Sequence, residues 1–464
     1  MQKIWIEKQF AIVILTFTIF LIIFSGCLKN DKGPKKVVIQ DLIDNANPGD
    51  IINIPSGIYY ENIIINKTIT LIGENKENTI IDGGRTDEKD VVYIIADNVT
   101  ISGFTIQNSG NVSWCMTLLG NSGFQAPMDS GIDIRSNNTK IFNNIFYNNR
   151  ASIYIYNSTN NNISNNLFSK VHGDASIQIE NSDNNTITNN QIINSVFADI
   201  ELYYSNNNII SKNIILNNEN SEIFIHSSNG NFIDNNIINQ KNYTSCITLI
   251  QSSNNIISNN SLSHSFHGIS NRYSNNTVIS NNNINDSYQR GIWLYYSDYL
   301  DVNNNTISLG NIGIDIQNSN SSWIRDNSIY DNYKGIQCSE TNSNIVSGNF
   351  IQNNTIGMDL WTTFYYTIKE NNFTSNIEYS IRTTFYDWFY CNSDYNFIFN
   401  NTFINNGNNS YDECYNFWDD GTHGNYWDDY NGTDADGDGI GDTPYYISGG
   451  NNKDNYPLMR PVDI

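Results

Sequence analysis

Ile187-Thr188-Asn189-Asn190-Gln191-Ile192 returns five repeats later as Val302-Asn303-Asn304-Asn305-Thr306-Ile307, and the frame these two stretches share decides the fold. In each, an asparagine follows an apolar residue by three positions and precedes another by two. The frame recurs at Asn144, Asn166, Asn190, Asn213, Asn236, Asn260, Asn282, Asn305, Asn327, Asn349, Asn371 and Asn401. Ten of the eleven intervals are 22 to 24 residues and the last is 30. Self-similarity at a fixed short period marks a solenoid. The units lack the apolar spacing at three and four residues that an amphipathic helix needs. They alternate instead, as in Ala198-Asp199-Ile200-Glu201-Leu202-Tyr203, between breaks of Asn, Ser and Asp whose side chains favour turns. Short strands joined by tight turns follow, and the asparagine gains a mechanical role. Stacked at a strand spacing of about 4.8 Å, its amide donates to one coil and accepts from the other. Leucine-rich repeats share the period and use Asn, but here Ile dominates and Leu is scarce, which favours a parallel β-helix.

Composition fits that reading. Charged residues make up 15% of the chain and prolines number seven. With so much Asn and Ser this would read as disorder if the apolar residues were not periodic.

Lys3 and Lys8 precede an apolar run from Phe10 to Gly26, right for a signal-peptide core and short for a membrane span. Residues 28–38 read as a linker, and Gln40 to Ala46 as a short amphipathic segment able to cover the first coil.

The segments Gly49 to Glu61, Ile69 to Gly73 and Thr79 to Gly84 resemble the opening coils of pectin-lyase-like right-handed parallel β-helix proteins. The later repeats, Gly-Ile-x-Ile-x-x-Ser-x-Asn-Asn, resemble the NosD-type or carbohydrate-binding and sugar-hydrolase repeats of archaeal and bacterial surface proteins. The resemblance runs over roughly residues 38 to 464. It implies an all-β, right-handed, single-stranded parallel β-helix solenoid of about 15 coils of 22–24 residues, with an acidic carboxyl-terminal cap. The implied organisation is an anchor or leader at 1–27, a linker at 28–38, the β-helix at 39–406 and the cap at 407–464. Phe24-Ser25-Gly26-Cys27 resembles a lipoprotein processing site, with Phe24 where Leu is usual; lipidation of Cys27 and an uncleaved membrane anchor both remain open.

Cys115, Cys246, Cys338, Cys391 and Cys414 follow the leader. Cys246 and Cys338 occupy strand positions and read as small buried residues. Cys391 and Cys414 flank the longest interval and are placed to clip the last coil to the tail. The 40 residues from Phe104 to Asn144 exceed one repeat and predict a loop near 108–129, holding Trp114, Cys115, Met116 and Met128. The NosD resemblance implies a part in maturing copper enzymes, and this loop carries soft sulfur ligands, though no nearby histidine.

Residues 411–464 carry twelve acids against two basic residues. Within them Asp434, Asp436, Asp438, the carbonyl of Ile440 and Asp442 match loop positions 1, 3, 5, 7 and 9 of an EF-hand-type calcium loop, with Gly439 at 6. Tyr445 stands at position 12 in place of the bidentate Glu. Calcium or a solvated acidic turn are the two readings, and no organic cofactor is expected.

Alternation points Ile153, Ile155, Ile177, Ile179, Ile200 and Leu202 inward and their neighbours outward. The outward residues stack in two columns, one through Asp133, Tyr154, Gln178, Glu201, Phe224, Thr248, Ser270, Trp293, Asp315, Gln337, Asp359 and Arg382. The other passes through Arg135, Tyr156, Glu180, Tyr203, His226, Ile250, Arg272, Tyr295, Gln317, Ser339, Trp361 and Thr384. Aromatic rings interleaved with acids and amides suit sugars, whose CH faces stack on rings while hydroxyls meet carboxylates. The carbohydrate-binding candidates are Tyr154, Tyr156, Glu180, Glu201, Tyr203, Arg272, Trp293, Tyr295 and Trp361. Catalytic candidates are Asp174, Asp199, Glu201, Tyr203 and His226, with Glu222 and His172 nearby. A formal net charge of −23 argues against nucleic acid and against long polyanions as unaided ligands. The leading expectation is an exported, membrane-anchored surface protein that binds cell-surface or environmental polysaccharide. A structural stalk or scaffold, a polysaccharide lyase or hydrolase, and a NosD-like copper-enzyme maturation factor are the alternatives.

Overall fold

Each asparagine doublet divides its labour. In the coil of Thr186–Thr188, Gln191–Ile193 and Ile200–Tyr203, Asn189 turns the chain at a left-handed φ of 56°, which asparagine tolerates, and Asn190 then points inward. Where the first residue of the pair is not Asn, as at Lys212, Asp326, Gly348 and Glu370, it adopts the same conformation. The computed structural model describes residues 37–85, 89–110, 129–220, 222–240, 244–383 and 393–463. The leader with Cys27, the sulfur-bearing loop with Cys115, and Cys391 and Thr384 lie outside the described residues.

A typical coil has three strands, each paired in parallel with its counterpart one coil on, as in Ile187↔Ile210, Ile192↔Ile215 and Ile200↔Ile223. Fifteen first strands make one sheet, and the second and third strands together make a 29-stranded sheet. The two join because in adjacent coils the chain runs unbroken round the corner, at Ser261–Arg272 and Asn283–Tyr295. Close approach at that corner excludes a side chain: a Cβ on Gly291 would stand 2.6 Å from the carbonyl of Gly313. The interior is stacked Ile, with Ile153, Ile177, Ile200 and Ile223 wholly buried in one column. Burial of such side chains, each contributing about 1.5–3 kcal/mol, holds the coils together. Helix Ile39–Asn45 buries Ile39 and Ile43, and Lys67 donates to the carbonyls of Ile43, Asp44 and Ala46 at its carboxyl end.

The twelve asparagines form one buried ladder, none more than 2% exposed. Asn190 Oδ1 accepts from the backbone N–H and the amide of Asn166 at 3.0 and 3.2 Å. Its own amide donates to Asn213 Oδ1 at 3.1 Å and to the Ile163 carbonyl at 2.8 Å. The ladder begins where Phe104 N–H donates to Asn144. It runs one rung beyond the sequence reading, to Asn425, which receives the N–H of Asn401. Thr422 breaks the apolar frame three residues before Asn425, which hid it. A second ladder of serines, Ser158, Ser182, Ser205, Ser228, Ser252 and Ser274, passes each backbone N–H to the next hydroxyl.

Asn236→Ala strands the Asn213 N–H and one N–H of its amide, both of which donate to Asn236 Oδ1. The expected loss is about 1–3 kcal/mol for each donor left buried. Urea unfolding measures it, and a loss near zero would show that water replaces the rung.

Candidate functional site

The outer side of the third strand carries the chemistry, and register places it. Glu201 stands between Gln178 and Phe224, and Ser270 between Thr248 and Trp293, so both expected columns form as far as the described residues extend. Their exposure differs from expectation. Tyr154 is only 4% exposed, lies under the Arg135 guanidinium and donates its O–H to Glu180 at 2.8 Å, so it offers no stacking face. Asp133, Thr248, Ser270, Asp315 and Asp359 of the same column are also buried. At a strand step of about 4.8 Å, a long side chain covers a short neighbour above or below it. The first column is therefore a floor, and the second, with Tyr156, Tyr203, Arg272, Tyr295 and Trp361 partly exposed, is its shoulder.

Ion pairs lock much of the floor. Arg135 holds Asp133 at 2.7 Å, Arg290 pairs with Asp315, and Asp359 takes Lys334 at 2.6 Å and Arg382 at 2.9 Å. Further exposed rings sit one residue past the shoulder, at Tyr204, Tyr273 and Tyr296, all at left-handed turn positions. Tyr273 and Tyr296 stack at 5.4 Å, and Tyr295 meets Tyr296 edge-on at 4.6 Å. The doublets Tyr203-Tyr204 and Tyr295-Tyr296 were the available signal for them.

The acidic candidates separate by partner. Asp174 is held by Arg150 at 2.8 Å, and the buried Asp199 accepts from the Asn218 amide at 2.8 Å. Glu201, Tyr203 and His226 do come together, with Phe224 and Glu222 beside them; Tyr203 lies 5.8 Å from Phe224 and 6.0 Å from His226. Burial, then the charges of Asp174 and Glu222, push the Glu201 carboxyl up to about 7. Burial pushes Glu222 up to about 7 as well, against a Thr248 hydrogen bond and the Arg272 charge. Burial raises Tyr203 and lowers His226, keeping both neutral. Glu180 is raised by burial and drawn back by the Tyr154 hydrogen bond. Two carboxyl groups that are half-protonated near neutrality can each give or take a proton or hydrogen bond.

In the tail, carboxylate oxygens of Asp434, Asp436 and Asp438 lie within 4.8 Å of one another. Asp442 turns instead to the Ala435 N–H at 2.9 Å, and Ile440 N–H donates to Asp438. Cys414 is disulfide-bonded, while Cys246 and Cys338 are free and buried.

Glu201 and Glu222 bind protons more tightly folded than unfolded, so their contribution to stability is full below pH 4.5 and is lost as pH rises through about 7. The thermal midpoint of Glu201→Gln, Glu222→Gln should therefore fall less between pH 5 and pH 8 than the parent's. Parallel curves would refute the shared cause.

The family described as periplasmic copper-binding protein (NosD) matches residues 221–359 and 331–432, and the right-handed beta helix region matches 90–260. No curated protein matches the chain in sequence. Among solved structures, pre-mature bacteriophage phi29 gene product 12 is 14% identical with a TM-score of 0.51, covering 82% of this chain and 54% of that one. PfbA, a surface adhesin of Streptococcus pneumoniae, is 13% identical with a TM-score of 0.45, covering 71% and 88%. The Azotobacter vinelandii mannuronan C-5 epimerase AlgE4 A-module is 13% identical with a TM-score of 0.33, covering 72% and 88%. At these identities the likenesses concern fold alone. The repeat, the internal asparagine ladder, the parallel three-strand coils and the two family matches converge: the chain is a NosD-like right-handed parallel β-helix protein.

Proposed function

We propose that this is an exported, envelope-tethered protein that binds a polysaccharide lengthwise along the outer face of its third strands. The observation that carries this is the band from Tyr203 to Tyr296, where partly exposed rings alternate with neutral-leaning acids and with imidazoles and hydroxyls at the strand repeat. A sugar chain needs that mixture, rings for its CH faces and donors and acceptors for its hydroxyls. The leader-like amino terminus and the periplasmic character of the matching family support export. Among the described residues no helix is long and apolar enough to cross a membrane, so the tether would be the lipidated Cys27 or the leader itself.

Copper does not fit the described residues. Cys246 and Cys338 sit in the core, and burial pushes the Cys246 thiol up to about 12 and Cys338 higher still, far from the thiolate a soft metal takes. Asp434, Asp436 and Asp438, the sole group of three or more His, Cys, Asp or Glu side chains close enough to share an ion among the described residues, offer hard oxygens.

On a glycan array the parent should bind a defined subset, and Trp293→Ala, Tyr295→Ala should abolish that binding without lowering the thermal midpoint appreciably. Protein capture with no glycan bound would favour the stalk or scaffold reading. Release of reducing ends or unsaturated sugar that stops in Glu201→Gln would make the face a hydrolase or lyase site, the reading the raised Glu201 and Glu222 favour.

Calcium is the proposed ligand of the tail, held at about 2.3–2.6 Å by Asp434, Asp436, Asp438 and the Ile440 carbonyl, with Asp442 turning in. Millimolar calcium should raise the thermal midpoint by mass action, and Asp436→Ala, Asp438→Ala should remove the rise. An equal response in parent and variant would leave the segment an acidic turn.

A further inference from the structure

Between the ring cluster at Tyr203, Phe224 and His226 and the one at Trp293, Tyr295 and Tyr296, the outer face drops to two short side chains. Thr248 and Ser270 are adjacent in register and 2% and 1% exposed. Around this step four buried polar atoms have no hydrogen-bond partner: Nδ1 of His226, Nδ1 of His267, Oγ of Ser270 and Nε of Arg272. His267 is itself 6% exposed. Folded proteins seldom leave such groups unpaired, and these four, three on the coil of Ser261–Arg272 and His226 two coils upstream, flank the step on one face and leave it to be completed by something else.

Donors lead the chemistry of the patch, with each imidazole offering one N–H and one bare nitrogen. Arg272 Nε can only donate, the Ser270 hydroxyl can donate, and burial lowers both imidazoles so that each remains a neutral ring with one N–H. Arg272 also differs from its neighbours in charge pairing. Arg135, Arg290, Lys334 and Arg382 on this face all hold an aspartate, whereas Arg272 makes no ion pair among the described residues and lies against Trp293, its Cζ 5.6 Å from the ring centroid. The charge of Arg272 does act on Glu222, but burial outweighs it and raises that carboxyl. An unpaired guanidinium beside unpartnered donors selects an anion.

We propose that this step is a subsite for an acidic sugar unit, whose carboxylate or sulfate sits on Arg272 and Ser270 while its ring lies between the two aromatic clusters. The inference rests on the glycan-binding reading and narrows it. Because the chain carries a formal net charge of −23, the polymer it fits is sparsely charged, with acidic units separated by neutral ones.

The test is calorimetric titration of the intact protein with three oligosaccharides. One alternates hexose and hexuronic acid, one is the same compound with its carboxyls reduced to hydroxymethyl groups, and one is the reduced compound bearing a sulfate. The parent should bind the uronate form, the sulfated form or both at least about tenfold more tightly than the reduced form, and the tighter of the two identifies the anion. Arg272→Gln should bring the acidic forms within about twofold of the reduced one. Ser270→Ala should weaken the acidic forms alone. Arg272→Lys, which keeps the charge, should retain part of the preference. Equal binding of acidic and reduced forms by the parent would overturn the subsite but leave the broader reading standing. Loss of all three ligands alike in Arg272→Gln, with an unchanged thermal midpoint, would also overturn it, since Arg272 would then serve sugars in general. If no oligosaccharide binds at all, both the subsite and the broader reading fall.

Discussion

A chain of buried amides sets the geometry on which everything else depends. Each rung from Asn144 to Asn401 gives its backbone N–H and its amide to the oxygen of the next. Ile packing alone would tolerate sliding of one coil over another, because stacked Ile columns look much alike from rung to rung. The amides do not, since a shifted coil would leave buried donors without acceptors. A slip of one residue would also turn the outer face inward. The ladder thus fixes where each coil begins, and by alternation it fixes which side chains line up outside. The outer columns inherit their order from a contact in the interior.

That dependence explains what the sequence could reveal. The period, the ladder, the inward Ile columns and the outward register all follow from spacing, and spacing is visible in a string of letters. Exposure was less legible. Tyr154, Asp315 and Asp359 occupy outward positions yet are covered, because Arg135, Arg290, Lys334 and Arg382 fold back over them. That cover comes from the next coil: Arg135 lies over the Tyr154 ring, and the cations on Asp315 and Asp359 come from more than twenty residues away in sequence. The same holds at the corner where Ser261–Arg272 and Asn283–Tyr295 run through without a break. There the register of two coils brings His267 within 5.1 Å of the Trp293 ring, a neighbourhood no local pattern announces.

The outer face consequently has two electrostatic characters. Toward the carboxyl end, Arg290, Lys334 and Arg382 neutralise Asp315 and Asp359, and the surface is closed upon itself. Pairs so buried add little net stability, since desolvating the ions offsets much of their attraction, and they serve chiefly to fix side-chain positions. Upstream, Glu201 and Glu222 have no such partner within ion-pair reach and meet their burial by moving toward the neutral acid. A surface that has not satisfied its own groups is one on which another molecule can gain by doing so. This asymmetry, more than the count of aromatic rings, sets the coils of Glu201 and Glu222 apart from those of Asp315 and Asp359.

The acids of the tail divide on similar grounds. Each rung's second amide N–H reaches back to a carbonyl of the preceding coil, but the rung-to-rung bonds run one way, from N–H groups to the oxygen of the next, so the ladder ends in a donor that lacks a rung. Asp454 supplies the acceptor, taking the Asn425 N–H and the Trp427 indole N–H at 2.7 and 2.8 Å. A carboxylate suits that position better than an amide would, because the aligned N–H groups present positive charge at that end, as they do at the start of a helix. Burial pushes the Asp454 carboxyl up to about 6, a measure of how far it has been drawn from water to reach the site. Asp412 has a comparable part, accepting from Trp418, Asn416, Thr383, Asn452 and the Cys414 N–H inside the last turn. Asp436 and Asp438 remain outside in water, with no ladder to end. One acidic segment therefore contains two kinds of carboxylate, and only the exposed kind is left to meet a cation.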